Sequence, residues 1–565
     1  FPLYLLLDDA MEGPVPASIL RNSVVVTCGA YVLIRLQPIV VLSPTALALL
    51  VAVGTVTAVG ASLVAIAQID IKRTLSYSTS AYLGLVFIAV GTEWPGVALM
   101  ILLTHAIAKA LLFMSAGAVI VTTNCQDLTE MGGLGRKMPA TTIAFIVGSL
   151  GLTGLFPLGC FWGYRLGIDF LWGERPALVI VFLLVNLLTA LNLTRIFRLM
   201  FMGTTQPKTR RAPEVIWPMA LPMVTLTILT LAVPLIMQRL LLLPPLAYVN
   251  PTELILLMAS GAIGGTIGAR IPLSKTLARS TRKPFRILQD LLAYDFYTEK
   301  LYRFTVVWVV EQLSWASNWF DRYIVDGLVN SVGLASLIGG ESLKYSISGR
   351  SQGYLLTILV GVGLLGLFMT WTMWQGDRML SALIFIPLLG ALVIGLWPQR
   401  GPGRQVWQMT LGLQALSLLW AGVVATQFDI QQPGLQFIES LPWIETLGLT
   451  YQLGVDGLSM PLLLINSLLG VIAVYASADQ LQRPRLYFSL VLLINAAVAG
   501  AFLSQNLLLF FIFYELELIP LYLLIAIWGG ARRGYAATKF LIYTAVSGAL
   551  ILGGFLGFVW LGGSG

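Results

Sequence analysis

Apolar runs of about 18 to 25 residues recur along the whole chain, each long enough to cross a hydrocarbon core of roughly 30 Å as a helix. That recurrence leaves few folds open. In lipid every backbone polar group must find a partner within the protein, so spanning segments are helices or closed barrels. The short alternating strands of a barrel are absent, and the sequence therefore predicts an all-α, polytopic transmembrane helical bundle. The balance of residues agrees. Of 565 residues, 57% are hydrophobic and 11% charged, and the mean hydropathy is +0.86, outside the range of a soluble globular chain.

Candidate spans lie at 17–36, 45–68, 77–93, 97–121, 139–160, 176–201, 217–237, 253–271 and 353–374, then at 379–397, 407–427, 457–478, 486–504, 506–528 and 539–562, about fifteen in all. Loops on the cytoplasmic side of a membrane protein carry an excess of Lys and Arg. Here the basic loops are at Lys72/Arg73, Arg136/Lys137, Lys208/Arg210/Arg211, Arg270 to Arg286, Arg400/Arg404, Arg483/Arg485 and Arg532/Arg533. Each follows an alternate span, so the topology is self-consistent.

From Arg286 to about Arg350, in "LLAYDFYTEKLYRFTVVWVVEQLSWASNWFDRYIVDGLVNS", charges and aromatic residues recur with apolar ones at helical spacing. This suits a long amphipathic helix at the membrane surface or flank, with a solvated connecting helix as the competing reading. A second discontinuity lies at "MTWTMWQGDRMLSALIF", where a span ends at Trp374, a short polar break follows and Met379 opens a new span as an initiator methionine would. The chain reads as two proteins joined head to tail. Its first residue is Phe1, and "FPLYLLLDDAMEGPVP" reads as the tail of a broken helix. "FVWLGGSG" stops near the end of an apolar run, so sequence is expected to be missing at both ends.

The chemistry-bearing residues are few. Cys28, Cys125 and Cys160 show no paired spacing, which suggests neither a disulfide framework nor a zinc or iron–sulfur site. No cofactor and no metal is expected in this chain, and no Walker A, haem-attachment or HExxH pattern is present. "GVGLLG" at 361–366 matches GxGxxG, but it lies inside an apolar span with no strand before it and reads as a packing face.

In "LLTHAIAKALLF" the only histidine, His105, precedes Lys109 by one helical turn, and Lys109 falls near the midpoint of its span. A charge at that depth costs about 2.5 to 3.5 kcal/mol on insertion scales. Residues i and i+4 share a helix face, so the two can share a water chain or a proton. Desolvation and like charge favour release of a lysine proton and a nearby carboxylate favours its retention, which makes Lys109 a group able to load and unload. The competing reading is a structural lysine reaching for the surface. "FFIFYELELIPLYLL" places Glu515 near mid-span, and a buried carboxylate needs a partner. Glu517, two positions on, falls on another face and reads equally as a functional group or as a protonated or interface-facing glutamate. Asp70, Lys72 and Arg73 in "QIDIKRTLSYST" are explained as well by anchoring at a helix end as by proton entry, and Lys539 is equally ambiguous.

These motifs resemble the antiporter-like subunits of respiratory and photosynthetic complex I. "FPLYLLLDDAMEGPVPASI", "QIDIKRTLSYSTS", "LLTHAIAKALLFMSAGAVI", "PLGCFW" and "LLAYDFYTEKLYRF" look like the later two thirds of the distal subunit, NdhF or chain five. "LTYQLGVDGLSMPLLL", "FFIFYELELIPLYLLIAIWGG" and "YAATKFLIYTA" look like the first part of NdhD, chain four. The resemblance implies four stretches: an NdhF-like module over 1–285, a lateral amphipathic helix over 286–350, an anchoring span over 351–378 and an NdhD-like module over 379–565.

It further implies modules of inverted five-helix repeats with broken helices at the midplane, which translocate protons. Glu515 takes the place of the essential glutamate of the N-terminal repeat, Lys109 that of the central lysine of the C-terminal repeat, and His105 that of its neighbouring histidine. The lysine expected to pair with the glutamate lies upstream of Phe1 in one module and beyond Gly565 in the other, so Glu515 is not expected to be the partner of Lys109.

The implied setting is a cyanobacterial thylakoid complex, an NAD(P)H- or ferredoxin:quinone oxidoreductase. Any flavin, iron–sulfur and quinone sites would be held by partner subunits of its membrane arm and beyond; lipids are the other expected partner, and nucleic acid is not. The chain departs from the family at Arg21, where a histidine is usual, and at Tyr164 and Arg165 in "FWGYRLG", where the family has "FWSKDE" with an exit-side lysine. A tyrosine cannot do that lysine's proton work near neutral pH and an arginine hardly releases a proton. Such changes fit the variant complex used for carbon dioxide uptake, with a carbon dioxide hydration subunit as partner. The site residues expected are thus Lys109, His105 and Glu515, with Lys72 and Arg165 as weaker candidates. The competing functions are a subunit of a multi-subunit sodium/proton antiporter and a structural membrane-arm subunit that does not pump.

Overall fold

Proline opens several of the long helices, at Pro44, Pro95, Pro176, Pro251 and Pro484, because at the first helical turn its missing N–H is not needed and its φ is already helical. The computed structural model describes residues 13–239, 243, 250–270, 379–396, 403–444, 448–477, 482–530 and 532–561. The first block forms α1 (Val15–Val40), α2 (Pro44–Ala67), α3 (Ile71–Gly91), α4 (Pro95–Thr123), α5 (Pro139–Leu152), α6 (Gly159–Leu171), α7 (Pro176–Phe201), α8 (Trp217–Arg239) and α9 (Pro251–Arg270). The second forms α10 (Met379–Leu396), α11 (Gly403–Gln427), strands β1 (Gln436–Ile444) and β2 (Leu449–Val455), α12 (Ser459–Tyr475), α13 (Pro484–Leu503), α14 (Leu507–Leu516), α15 (Leu518–Trp528) and α16 (Arg533–Leu561).

Twelve helical segments among the described residues are long and apolar enough to cross a membrane, α14 with α15 counting as one, and α5 and α12 are shorter apolar helices. The protein is an integral, multi-pass membrane protein. Every expected crossing coincides with a helix except 139–160 and 353–374; the latter lies outside the described residues together with the expected lateral helix at 286–350 and the GVGLLG stretch. The chain divides into two compact units, one comprising 3–293 with 380–565 and the other essentially 294–379. All but Met379 of the second lies outside the described residues.

Burial sorts the helices of the first unit. In the apolar windows of α4 and α3, 94% and 89% of residues are buried, against 22% for α16 and 28% for α11. Helices α3 and α4, which carry Ser76, Ser78, Thr79, Ser80, His105 and Lys109 as buried polar side chains, are therefore central, and α11 and α16 are peripheral.

The basic loops expected on one side of the membrane are joined there. Thr209 donates to the Gly132 carbonyl at 2.8 Å, Lys137 Nζ donates to the Thr209 and Arg210 carbonyls at 3.1 and 2.6 Å, and Asp70 bridges Asp127 through the backbone. Three loops that alternate in sequence thus share one face, as the charge pattern predicts.

The sequence predicts one span over 139–160. Two helices stand there instead, interrupted at Thr153–Leu158. The residues Gly154, Phe156 and Pro157 of "TGLFPL" end the helix, and non-helical backbone at such depth survives only where protein groups satisfy it. Here Tyr82 OH donates to the Leu152 carbonyl, Asn186 Oδ1 accepts from Gly154 N–H at 2.8 Å and Trp162 Nε1 donates to the Pro157 carbonyl at 3.1 Å. Asn186 also ties α7 to α9, donating to Leu257 O and Ser260 Oγ at 3.2 and 2.8 Å.

Helices α7 and α9 meet at a glycine step. A Cβ on Gly264 would stand 2.1 Å from the Leu187 carbonyl oxygen and one on Gly268 2.2 Å from that of Leu191. This is the close backbone approach that a small-xxx-small pattern allows in lipid.

The all-α expectation needs one small addition. Strands β1 and β2 form an antiparallel hairpin between α11 and α12. Glu439 of β1 places its carboxylate at the start of α10, where it accepts from Leu380 N–H at 2.6 Å, a favourable position for an anion at a helix N-terminus.

Candidate proton-transfer site

Asp70 starts the central helix α3. Its carboxylate accepts from the Lys72 and Arg73 N–H groups at 2.8 and 3.0 Å, the capping geometry that supplies partners for the first-turn donors. The helix then carries the buried hydroxyl series Ser76, Ser78, Thr79 and Ser80. Against it lies α4, in which Lys109 is the middle residue of 29 and is fully buried.

Lys109 Nζ donates to Ser78 Oγ. One turn back, His105 is 1% exposed. Its ring stacks on Tyr82 with centroids 5.1 Å apart, and its Nε2 has no hydrogen-bond partner among the described residues. Thr104 Oγ1 lies 3.2 Å from Cys160 Sγ on α6, and the Tyr164 ring meets Tyr82 edge-on at 6.0 Å. Three helices thus place a lysine, a histidine, hydroxyls and a thiol around one buried centre. A charge in such surroundings is tolerated only with a partner, and the Ser78 hydroxyl supplies one neutral acceptor without fixing the proton permanently.

Tyr164, where the resemblance leads one to expect a lysine, is fully buried beside Phe182 at 6.0 Å. Arg165 is buried on the same helix, and at the start of α9 the Oε1 of Glu253 accepts from Asn250 at 3.1 Å. Lys72, 5% exposed, donates from Nζ to the Gly13 carbonyl at 3.0 Å.

The second expected carboxylate stands in another place. Glu515, near the end of α14, borders a cavity of about 420 Å³ that is also lined by Arg21, Ser80, Tyr514, Glu517 and Ser547. Straight-helix spacing puts Glu517 on another face, but the helix is interrupted at Glu517, between α14 and α15, and both carboxylates reach the same cavity. Glu517 is 5% exposed and its Oε2 lacks a hydrogen-bond partner among the described residues. Arg21 sits in the π-turn Arg21–Val25 of α1, a local irregularity common at functional sites. Its guanidinium lies 4.8 Å from the Phe540 ring centroid, and Arg21 lines the cavity together with Glu517.

Glu515 and Lys109 accordingly serve separate centres. Helix α3 lies at both, with Ser78 bonded to Lys109 and Ser80 lining the cavity. Ser78, the partner of Lys109, is not singled out by the sequence alone, although the run of hydroxyls inside a membrane helix was the available signal. Among the described residues no group of three or more His, Cys, Asp or Glu could hold a metal ion.

The fold and this site define a class: a multi-pass helical membrane protein with a lysine and a histidine buried at the centre of its bundle. Comparisons then narrow it. The family described as NADH:quinone oxidoreductase/Mrp antiporter matches residues 1–189 and 504–565. Over 371 residues the chain is 54% identical to NAD(P)H-quinone oxidoreductase subunit 5, organellar chromatophore 2, of Paulinella chromatophora, covering 66% of this chain and 60% of that protein. It is 32% identical to the chloroplastic subunit 5 of Chara vulgaris over 408 residues, covering 65% of this chain and 62% of the relative. A further stretch is 43% identical over 185 residues to NAD(P)H-quinone oxidoreductase chain 4 2 of Thermosynechococcus vestitus, covering 33% of this chain and 34% of the relative.

The homologues of this chain are therefore NAD(P)H-quinone oxidoreductase subunit 5 over about two thirds of its length and chain 4 over about one third. It spans about three fifths of the subunit 5 relatives and a third of the chain 4 relative.

Proposed function

We propose that this chain is a proton-translocating component of the membrane arm of a complex I-like NAD(P)H-quinone oxidoreductase in a thylakoid-type membrane. The observation that carries the reading is Lys109, fully buried at the middle of the most buried span and bonded to a single hydroxyl. A charge held there is costly, and a lysine able to lose its proton to a neighbouring group converts that cost into a switch. His105, one turn away, is the candidate for receiving or supplying the proton, and Tyr82 holds its ring.

Electron transfer to plastoquinone, with the flavin or iron–sulfur chemistry it requires, would belong to partner subunits of the assembled complex. The substitutions at Arg21, Tyr164 and Arg165 support assignment to the form of the complex linked to carbon dioxide uptake, in which a carbon dioxide hydration subunit would be a partner.

The test is quinone-linked proton flux in membrane vesicles containing the assembled complex. Lys109→Ala should abolish the flux contributed by this module while quinone reduction continues. Unchanged pumping stoichiometry in an assembled complex would show that the chain is a structural arm component. Flux that follows a sodium gradient rather than quinone reduction would assign it to sodium/proton exchange.

A further inference from the structure

We infer that Gly548 is a positioning residue for the Glu515 carboxylate, admitting it against α16 at the wall of the cavity shared by the two blocks; this rests on Glu515 being one of the proton-carrying groups. A Cβ built on Gly548 would stand 1.8 Å from Glu515 Oε1, 2.7 Å from its Cδ and 3.3 Å from Oε2. No other residue could occupy that position without moving the carboxylate. The neighbouring glycines of α16 behave differently, since a Cβ on Gly553, Gly554 or Gly557 would meet nothing within 4 Å.

The consequence follows from what would have to yield. The obstructing atoms are the far end of a flexible side chain and not the backbone of α14, so a methyl group at position 548 turns the carboxylate away and leaves the helices where they are. Glu515 Oε1 is buried without a hydrogen-bond partner among the described residues, so no hydrogen bond to that oxygen opposes the turn. Displacements of about 1 Å at a reacting group are known to cost up to about 100-fold in rate. Glu517, the other carboxylate of the cavity, does not touch Gly548 in this way and keeps its own position at the α14–α15 junction.

The experiment uses the assembled complex in membrane vesicles and compares Gly548→Ala with Gly553→Ala, reading quinone-linked proton flux and the rate at which a hydrophobic carbodiimide modifies Glu515 and Glu517, quantified by peptide mass spectrometry. Gly548→Ala should lower the flux about tenfold and change the labelling of Glu515 at least about threefold, with Glu517 labelling unaltered. Gly553→Ala should change neither. Unchanged labelling of Glu515, equal changes at both glutamates, or loss of assembly in Gly548→Ala would each overturn the inference, because each means that something other than the carboxylate yielded. Glu515→Gln separates this from the underlying reading: if it leaves flux intact, Glu515 carries no protons; if it abolishes flux while Gly548→Ala is silent, only the role of Gly548 fails.

Discussion

The guanidinium of Arg35 and the carboxylate of Asp456, 421 positions apart in the chain, meet at 2.5 Å. Arg35 Nε also donates to Tyr31 OH at 2.9 Å, and Tyr31 OH donates in turn to the Phe502 carbonyl at 2.8 Å. This relay joins α1 of the first block to the start of α12 and the end of α13 in the second. It gives the two blocks a shared polar seam on top of their apolar contact.

The ion pair is about three quarters buried, with side-chain exposures of 26% and 20%. Asp456 does a second job, accepting from the Leu458 and Ser459 N–H groups at 3.1 and 3.0 Å. The two roles separate by mutation. Asp456→Asn keeps an acceptor for the helix start and loses the charge, so a double-mutant cycle with Arg35→Gln should return a coupling of about 0.5 to 1 kcal/mol in detergent unfolding. Asp456→Ala should cost about 1 kcal/mol more, through loss of the cap. A coupling indistinguishable from zero would mean that the seam is held by Tyr31 and packing alone.

The glycine step between α7 and α9 makes a second quantity measurable. Backbone carbonyls of Leu187 and Leu191 occupy the space that a Cβ on Gly264 or Gly268 would need, and backbone cannot turn aside as a side chain can. Gly264→Ala is therefore expected to force the helices apart at a cost of about 1 to 3 kcal/mol, seen as a lower thermal transition of the solubilised protein. Gly265→Ala is the control: its Cβ would lie 3.5 Å from Thr194 Oγ1, an ordinary contact, and it should be neutral or slightly stabilising. Equal transitions for the two variants would remove the close approach as an explanation.

What could be read in the sequence, and what could not, divides along a physical line. Spans and sidedness are legible because both follow from sums over many residues: a run near 20 apolar positions sets a crossing, and the Lys/Arg excess in alternate loops sets its direction. Lys109 and His105 are legible because a charge in an apolar run is conspicuous against that sum. The break at Thr153–Leu158 is not, because "TGLFPL" is itself largely apolar and does not interrupt the hydropathy; its partners, Tyr82 and Asn186, come from distant helices.

Two further misses share one cause, which is an assumption of regular geometry. Spacing places Glu515 and Glu517 on different faces only while the helix is straight, and the junction between α14 and α15 removes that premise. The β1–β2 hairpin is short and lies between two spans, in a stretch that a search for crossings passes over. Neither reading needed new chemistry to correct it. Each needed the path of the backbone.

Ser78 offers the sharpest test of the Lys109 centre. Its hydroxyl is the acceptor for the ammonium of Lys109, whereas Ser76 Oγ on the same helix is buried with no hydrogen-bond partner among the described residues. A hydrogen bond to a charged group contributes about 1.5 to 3 kcal/mol, which corresponds to a factor of roughly 10 to 100 in an equilibrium. Ser78→Ala should therefore lower quinone-linked proton flux about tenfold in an otherwise assembled complex, while Ser78→Thr, which restores a hydroxyl, should recover most of it. Ser76→Ala should leave flux within about twofold of the parent, because no bond is lost. Equal effects of the two alanine variants would show that α3 acts through packing, and the lysine would then need another acceptor.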